Sequence, residues 1–269
     1  MTVTNTLADR PAGYEVIREI LDRQSRRPPR SAPARLFGIS PIHADDASWY
    51  TGALGERAVG RQLARLGPEW TVLHAIPVGA GDTDIDHLLI GPPGVFTLNT
   101  KRHKGKKIWV ADYRILVSGQ KVEHLGNARS EASRASKLLS RALGRTVPVT
   151  PVLVFVETGE VTIRSRLSDV MVLTERNLVS GLTKLPARIS ADHAIAIEDV
   201  AELASTWSVK PPALVHDSAL ADFTALVRVE NSALRTRLLW LAGVGAFALL
   251  MGVPLAVNVL TAAILSLAR

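Results

Sequence analysis

Asp86, Asn99 and Lys101 are the residues whose types and spacing could do chemistry. Asp86 stands in the run Asp84-Ile85-Asp86-His87-Leu88-Leu89-Ile90-Gly91. Asn99 and Lys101 close the run Gly94-Val95-Phe96-Thr97-Leu98-Asn99-Thr100-Lys101. Both runs read as β-strands, and Gly91-Pro92-Pro93-Gly94 makes a tight turn between them. Such a hairpin brings Asp86 beside Lys101. A carboxylate next to a lysine at a strand end is the core of a metal-dependent phosphodiesterase site. Carboxylates are hard oxygen ligands for Mg2+ or Mn2+. The bound ion lowers the pKa of its water and polarises phosphoryl oxygens. The lysine orients that water or neutralises charge growing on the phosphorane. Glu56, in Gly55-Glu56-Arg57-Ala58-Val59, could reach in from a preceding helix as another acid. Asn99 stands where such a site usually carries its second carboxylate.

Several neighbours frame these residues. Asp84 shares a strand face with Asp86, whereas His87 points to the opposite face and reads as structural, like His74. Asp82 is borne by the loop before the strand. Directly after Lys101 comes a dense basic run, Arg102-His103-Lys104-Gly105-Lys106-Lys107. Arg102, Lys104, Lys106 and Lys107 could grip phosphates with salt-sensitive affinity. The alternative is a solvated hairpin edge protected by its charge. Trp109 could stack on a base, or pack within a sheet. Arg129, Glu131, Arg134 and Lys137 read as the charged solvent face of a later helix, with Arg134 and Lys137 neighbours on it.

The elements that must position these residues follow from hydrophobic spacing. Leu54, Ala58, Val59, Leu63 and Leu66 give one helical face over 52–66, stopped by Gly67-Pro68. Residues 70–78 alternate as a strand with Val72, His74 and Ile76 on one side. After the hairpin come short strands at 106–110 and 113–117 with a turn at 111–112. A helix is expected over 128–143. The β-branched run 149–156 predicts a central buried strand. Beyond it, 169–173 reads as a strand, Thr174 as the N-cap of a short helix, and 197–207 and 218–229 as helices.

The two ends of the chain differ. Residues 1–10 are polar with no apolar core, so they are no secretory signal. Residues 14–23 form a short amphipathic helix. Arg26-Arg27-Pro28-Pro29-Arg30-Ser31-Ala32-Pro33 is a Pro/Arg linker, read as a solvated tether. From residue 238 to 268 no charge occurs, and about 20 apolar residues suffice for one membrane span. Pro254 and Asn258 would kink that helix or mark its exit. Arg228, Arg235 and Arg237 precede the span, which places the N-terminal bulk in the cytoplasm by the positive-inside rule. The chain is divided as 1–48 (helix and basic linker), 49–157 (a nuclease-like domain), 158–232 (a mixed helical extension) and 233–269 (the membrane helix).

Composition narrows the classes further. The 269 residues include no cysteine, which excludes disulfides and thiolate metal sites. A net charge of +7 favours anionic partners, nucleic acid or an acidic membrane surface. No P-loop, zinc motif or Ser/His/Asp signature is present. The excess of arginine over lysine suggests a bacterial source with GC-rich codons.

Three blocks carry a family resemblance: Gly52-x-x-Gly55-Glu56-x-x-Val59, then 84–91, then 94–101. In order and spacing they resemble the nuclease-related domain (NERD) family, placed in the PD-(D/E)xK nuclease superfamily. The resemblance covers about 49–157. It implies an α/β restriction-endonuclease-like core, a mixed central sheet flanked by helices. It implies Glu56 as the helix-borne glutamate, Asp86 as the metal-binding aspartate and Lys101 as the motif lysine. It further implies Mg2+ or Mn2+ held by Asp86, Glu56 and the residue at 99, with nucleic acid as substrate. Asn99 departs from the family pattern of Glu, Asp or Gln. Its amide oxygen can ligate Mg2+ but brings no charge, and Asp84 could compensate. Two functions therefore stand: a membrane-anchored, metal-dependent nuclease, or a catalytically degenerate module binding nucleic acid or a protein at the membrane.

Overall fold

A computed structural model describes residues 7–79, 84–111, 113–165, 167–208 and 218–267. Asp82 and part of the expected turn at 111–112 lie outside the described residues. Two helices come first, α1 (Tyr14–Ser25) and α2 (Ala32–Leu36), followed by α3 (Ala47–Leu63). Then come β1 (Thr71–Pro77), β2 (Asp84–Gly91), β3 (Gly94–Arg102), β4 (Ile108–Ala111), β5 (Arg114–Val117) and β6 (Gln120–Val122). Helix α4 (His124–Leu143) leads to β7 (Val149–Val156), β8 (Val161–Ile163) and β9 (Met171–Thr174). The chain closes with α5 (Leu178–Thr183), α6 (Ala191–Ala201), α7 (Ala204–Trp207) and α8 (Ser218–Leu267).

The main sheet has five strands in the order β1-β2-β3-β7-β9. The first three are antiparallel neighbours, while β3, β7 and β9 run parallel. A parallel pair needs a long crossover, and the segment from β4 through α4 supplies it between β3 and β7. Four short strands form a second sheet, β6-β5-β4-β8. Helices cover both faces of the main sheet, which is why β7 is apolar at successive positions: residues 152–156 are all buried. On one face Leu88, Ile90 and Val95 pack with Ala135 and Leu139 of α4 and Ile197 of α6. On the other, Leu89, Phe96 and Leu98 pack with Val59 and Leu63 of α3 and Leu178 of α5.

Several expectations need correction. Strand β1 does not keep a strict alternation: Leu73, Ala75 and Ile76 are buried, and Ala75 has φ 48°, in the left-handed region. That twist interrupts the β1–β2 ladder between His74 and Ile76. The three-residue strands β6 and β8 have no periodicity to read in sequence. Thr174 ends a strand; Asn177 precedes α5 instead, and its Oδ1 accepts the Thr174 backbone N–H at 2.7 Å. The helix expected over 197–207 is two helices broken at residues 202–203.

The N-terminal segment is part of the core. Tyr14, Ile17 and Ile20 of α1 are fully buried against Ala53 of α3 and Phe223 of α8. Helix α8 runs 50 residues without a break, through Pro254, a length of about 75 Å. The helix expected over 218–229 and the apolar run after it are thus one element. Its first turns pack against the domain, whereas the side chains from Leu238 onward that the structure describes are exposed. At the junction Trp240 donates Nε1–H to the Leu36 carbonyl at 2.8 Å and meets the Phe37 ring at 5.4 Å. This helix, with a mean hydropathy of 1.7 over its best window, is long and apolar enough to cross a membrane.

Candidate active site

The site sits where β2 and β3 leave the apolar part of the sheet. The register that pairs His87 with Leu98 sets Asp86 across from Asn99. The even-numbered positions of β2 near its start face α4, so Asp86 and Asn99 share that face. Asp86 is anchored there by a charge-assisted hydrogen bond: its Oδ2 accepts the Thr100 backbone N–H at 2.6 Å. Lys101, two residues after Asn99, stays on the same side and is half-buried. Glu56 enters from α3 and is 5% exposed. Gly55 lets this helix approach, because a Cβ there would meet Arg102 Cβ at 3.2 Å and Thr100 Cγ2 at 3.3 Å. The structure therefore brings together Glu56, Asp86, Asn99 and Lys101, with Asp84 beside them.

Glu131 joins this group, contrary to the expectation that it faces solvent. Its Oε1 accepts a short hydrogen bond from Asn99 Nδ2. The sequence carried a signal for this. Residue 131 lies three after Ala128 and four before Ala135, both buried, so it falls on the inner stripe of α4. Arg129 turns outward to Asp169 at 2.6 Å. Arg134 and Lys137 line a surface depression with Arg129, Ser130 and Ser133.

The electrostatics of the group follow from its burial. Glu56 is buried, and Asp84, Asp86, Glu131 and Lys101 are half-buried around it. Burial pushes the Glu56 carboxyl well above its usual range, and the charges of Asp86 and Asp84 push it further. Burial, then Asp86, raises Glu131 to about 8. The same two causes raise Asp84 to about 7. Asp86 is also raised by burial, although Lys101 and the Thr100 N–H pull it back. Four buried oxygens of the group have no hydrogen-bond partner: Glu56 Oε2, Asp84 Oδ2, Asn99 Oδ1 and Glu131 Oε2. Unsatisfied buried acceptors are costly. Among the described residues, no three His, Asp or Glu side chains already stand gathered at ligating distance around one point. The donor chemistry nonetheless fits a hard divalent cation, since every orphan is an oxygen.

Two histidine pairs flank the site. His87 is fully buried, and its Nδ1 lies 2.8 Å from Nδ1 of His74. Burial lowers both, His74 to about 4, so these rings are neutral and pack the sheet against α3. His103 and His124 stack at 5.2 Å with Nε2 atoms 3.0 Å apart. Sequence reading missed His124, the first residue of α4. Burial, then the charge of Lys101, holds it at about 4.

The basic run is not uniform. Arg102 bonds Glu157 Oε2 at 2.7 Å and is only 13% exposed, so it is held by the fold. Lys104 and Lys106 are exposed, and Lys107, just before β4, lies 3.5 Å from Glu160, just before β8. Trp109 takes its place in β4, paired with Leu116 and Thr162.

Comparison with known proteins bears on this arrangement. The model of the nuclease-related domain (NERD) matches residues 51–156. An uncharacterized protein of Bacillus anthracis is 36% identical over 76 residues, 27% of this chain and 36% of that relative. The match thus spans about a third of the relative's length. No solved structure matches the chain. The segment matched by the nuclease-related domain spans most of α3, β1–β7 and α4, and it holds Glu56, Asp86, Asn99, Lys101 and Glu131.

Proposed function

We propose that this protein hydrolyses nucleic acid phosphodiesters at the Asp86 site, in a Mg2+- or Mn2+-dependent reaction. The observation that carries the reading is the gathering of buried Glu56 and Asn99, each with an orphaned oxygen, with half-buried Asp86 and Lys101. Asp86, Glu56 and Asn99 are the residues to hold the ion. When bound, the ion supplies an activated water and a Lewis acid for the phosphoryl oxygens. Lys101 would orient such a water or offset the charge that builds on the phosphorane. The Thr100 N–H fixes the Asp86 carboxylate, so little reorganisation is needed. Lys104, Lys106 and Lys107 lie along the turn after β3 and hold the phosphate backbone, with Arg102 at its base. As a PD-(D/E)xK-type site this one departs at residue 99.

Membrane anchoring by α8, with the domain on the cytoplasmic side, rests on the exposed apolar surface of that helix and on Arg228, Arg235 and Arg237 before it. A second reading has its own support. Asn99 brings no charge, so a degenerate module that binds nucleic acid or a protein partner without cutting is the competitor.

A cleavage assay decides between them. The detergent-solubilised chain is incubated with plasmid DNA, single-stranded DNA and RNA in Mg2+ or Mn2+, beside Asp86→Ala and Lys101→Ala. Metal-dependent cleavage lost in both variants supports the nuclease. Cleavage that survives both changes, or no cleavage of any substrate, overturns it; binding without turnover then supports the module.

A further inference from the structure

We propose that Glu131 of α4 supplies a further anionic ligand for the divalent cation beside Asp86 and Glu56, the charge absent at position 99 of β3, and that Asn99 positions it. This deepens the reading of the Asp86 site given above and rests on it.

Three observations carry the inference. First, Asn99 is 3% exposed, and its Nδ2 donates to Glu131 Oε1. The amide therefore aims the glutamate at the place where a β3 carboxylate would act. Second, both residues keep a free oxygen in the same buried space, Asn99 Oδ1 and Glu131 Oε2, and Glu56 Oε2 adds a third. Third, the charge on residue 131 is costly where it stands. Glu56, Asp84 and Asp86 are acids of the same group, and Glu56 and Asp84 also carry unpartnered buried oxygens. A glutamine could still accept the Asn99 hydrogen bond, and would bring no charge among these acids. A carboxylate retained among carboxylates makes physical sense when a cation completes the group. Side-chain length agrees with the exchange: asparagine is one methylene shorter than glutamate, which leaves room for the α4 carboxylate to reach the strand. The site then keeps its formal anionic complement, with one acid moved from strand to helix and the amide oxygen left as a neutral donor.

The test reads metal uptake rather than turnover. Mn2+ is titrated into the full chain in detergent and followed by calorimetry and by the electron paramagnetic resonance of free Mn2+. Parent, Glu131→Gln and the double exchange Asn99→Glu/Glu131→Gln are compared. Glu131→Gln preserves the hydrogen-bond acceptor and should melt no lower than the parent, so loss of binding is not loss of fold. We expect Glu131→Gln to weaken Mn2+ binding by at least about 10-fold, and the double exchange to recover most of that loss. Parental affinity in Glu131→Gln overturns the assignment, as does failure of the folded double variant to recover. The outcomes separate this inference from the hydrolytic reading. Equal Mn2+ uptake in parent and Glu131→Gln, with metal-dependent cleavage in the parent, removes the role of Glu131 and keeps the nuclease. Glu131-dependent uptake without cleavage keeps the ligand and removes the nuclease. A parent that takes up no Mn2+ overturns both.

Discussion

Buried carboxylates occur in two regions of this molecule, and the fold treats them in opposite ways. At the N-terminal side Asp46, fully buried, forms ion pairs with Arg27 at 3.2 Å and Arg23 at 3.6 Å, although its Oδ1 accepts no hydrogen bond. Those cations come from the end of α1 and the residues after it, and Arg23 also covers the Trp49 ring at 5.2 Å. The chain itself therefore supplies the countercharge. At the Asp86 site Glu56, Asp84, Asp86 and Glu131 crowd together around Lys101, and four of their neighbouring oxygens lack partners. Burying a charge is costly in both places. An internally paired acid serves structure. Under the reading proposed above, a group with more acids than cations would hold its surplus for a cation from outside.

The sharpest way to break this comparison is Asp86→Ala. Cleavage by the parent should fall by about 100-fold or more, with the circular dichroism spectrum unchanged. Full activity in that variant would make the Asp86 group as structural as Asp46.

The pH dependence of stability comes next. Asp84 titrates at about 7 and Glu131 at about 8 when folded, against ordinary values of 3.8 and 4.5. Between those limits the folded state binds more protons than the unfolded chain. The stability that these groups contribute is therefore present at low pH and lost as pH rises through about 7 to 8. The groups acting on them are Glu56 on α3, Asp86 on β2 and Lys101 on β3, with Glu15 of α1 and Arg10 also acting on Asp84. Thermal melts without divalent cations should show the midpoint dropping by roughly 5 °C or more between pH 5 and pH 8.5. Adding Mn2+ should restore it. A midpoint that rises across this range would contradict the arrangement.

Neutralising one acid in each region should have opposite signs. Asp46→Asn leaves Arg23 and Arg27 with no buried acid, and should cost roughly 1–2 kcal/mol, the arginines being partly exposed and able to turn to water. Glu56→Gln removes a repelled charge and should stabilise the metal-free protein by roughly 1–2 kcal/mol at neutral pH. Urea unfolding of the two variants measures both. Two changes of the same sign would erase the distinction.

The smallest effect belongs to the basic turn. Lys104→Ala and Lys106→Ala should each reduce the slope of log affinity against log salt by about 0.7–0.9 in nucleic acid binding. Arg102→Ala differs, because it also breaks the pair with Glu157. Its signature is a lower melting midpoint as well as weaker binding. A uniform effect across all three would show that Arg102 is as free to meet phosphate as its neighbours.

Much of this was legible from residue types. The hairpin of β2 and β3 and the strand β7 were readable nearly to the residue, because apolar runs bounded by glycine and proline have few other uses. The boundaries were lost where periodicity is short: β6 and β8 are three residues each, and Thr174 and Asn177 compete for one helix start. Glu131 was misread because a charged residue on a helix normally faces water, and its position on the inner stripe spoke more quietly than its charge. The packing of α1 was hidden for another reason. Its partners, Ala53 and Phe223, lie far away in sequence.

The sequence by itself determined the hairpin, the order Glu56, Asp86, Asn99, Lys101, and an apolar C-terminal helix. Each depends on local spacing, on turn residues or on composition. Tertiary structure alone decided which charges meet. The crossover from β3 through α4 to β7 lays the inner stripe of α4 over Asn99, and so turns Glu131 from a surface residue into a member of the site. Proximity across 32 residues of chain is set by packing of both sheet faces, which no local pattern encodes.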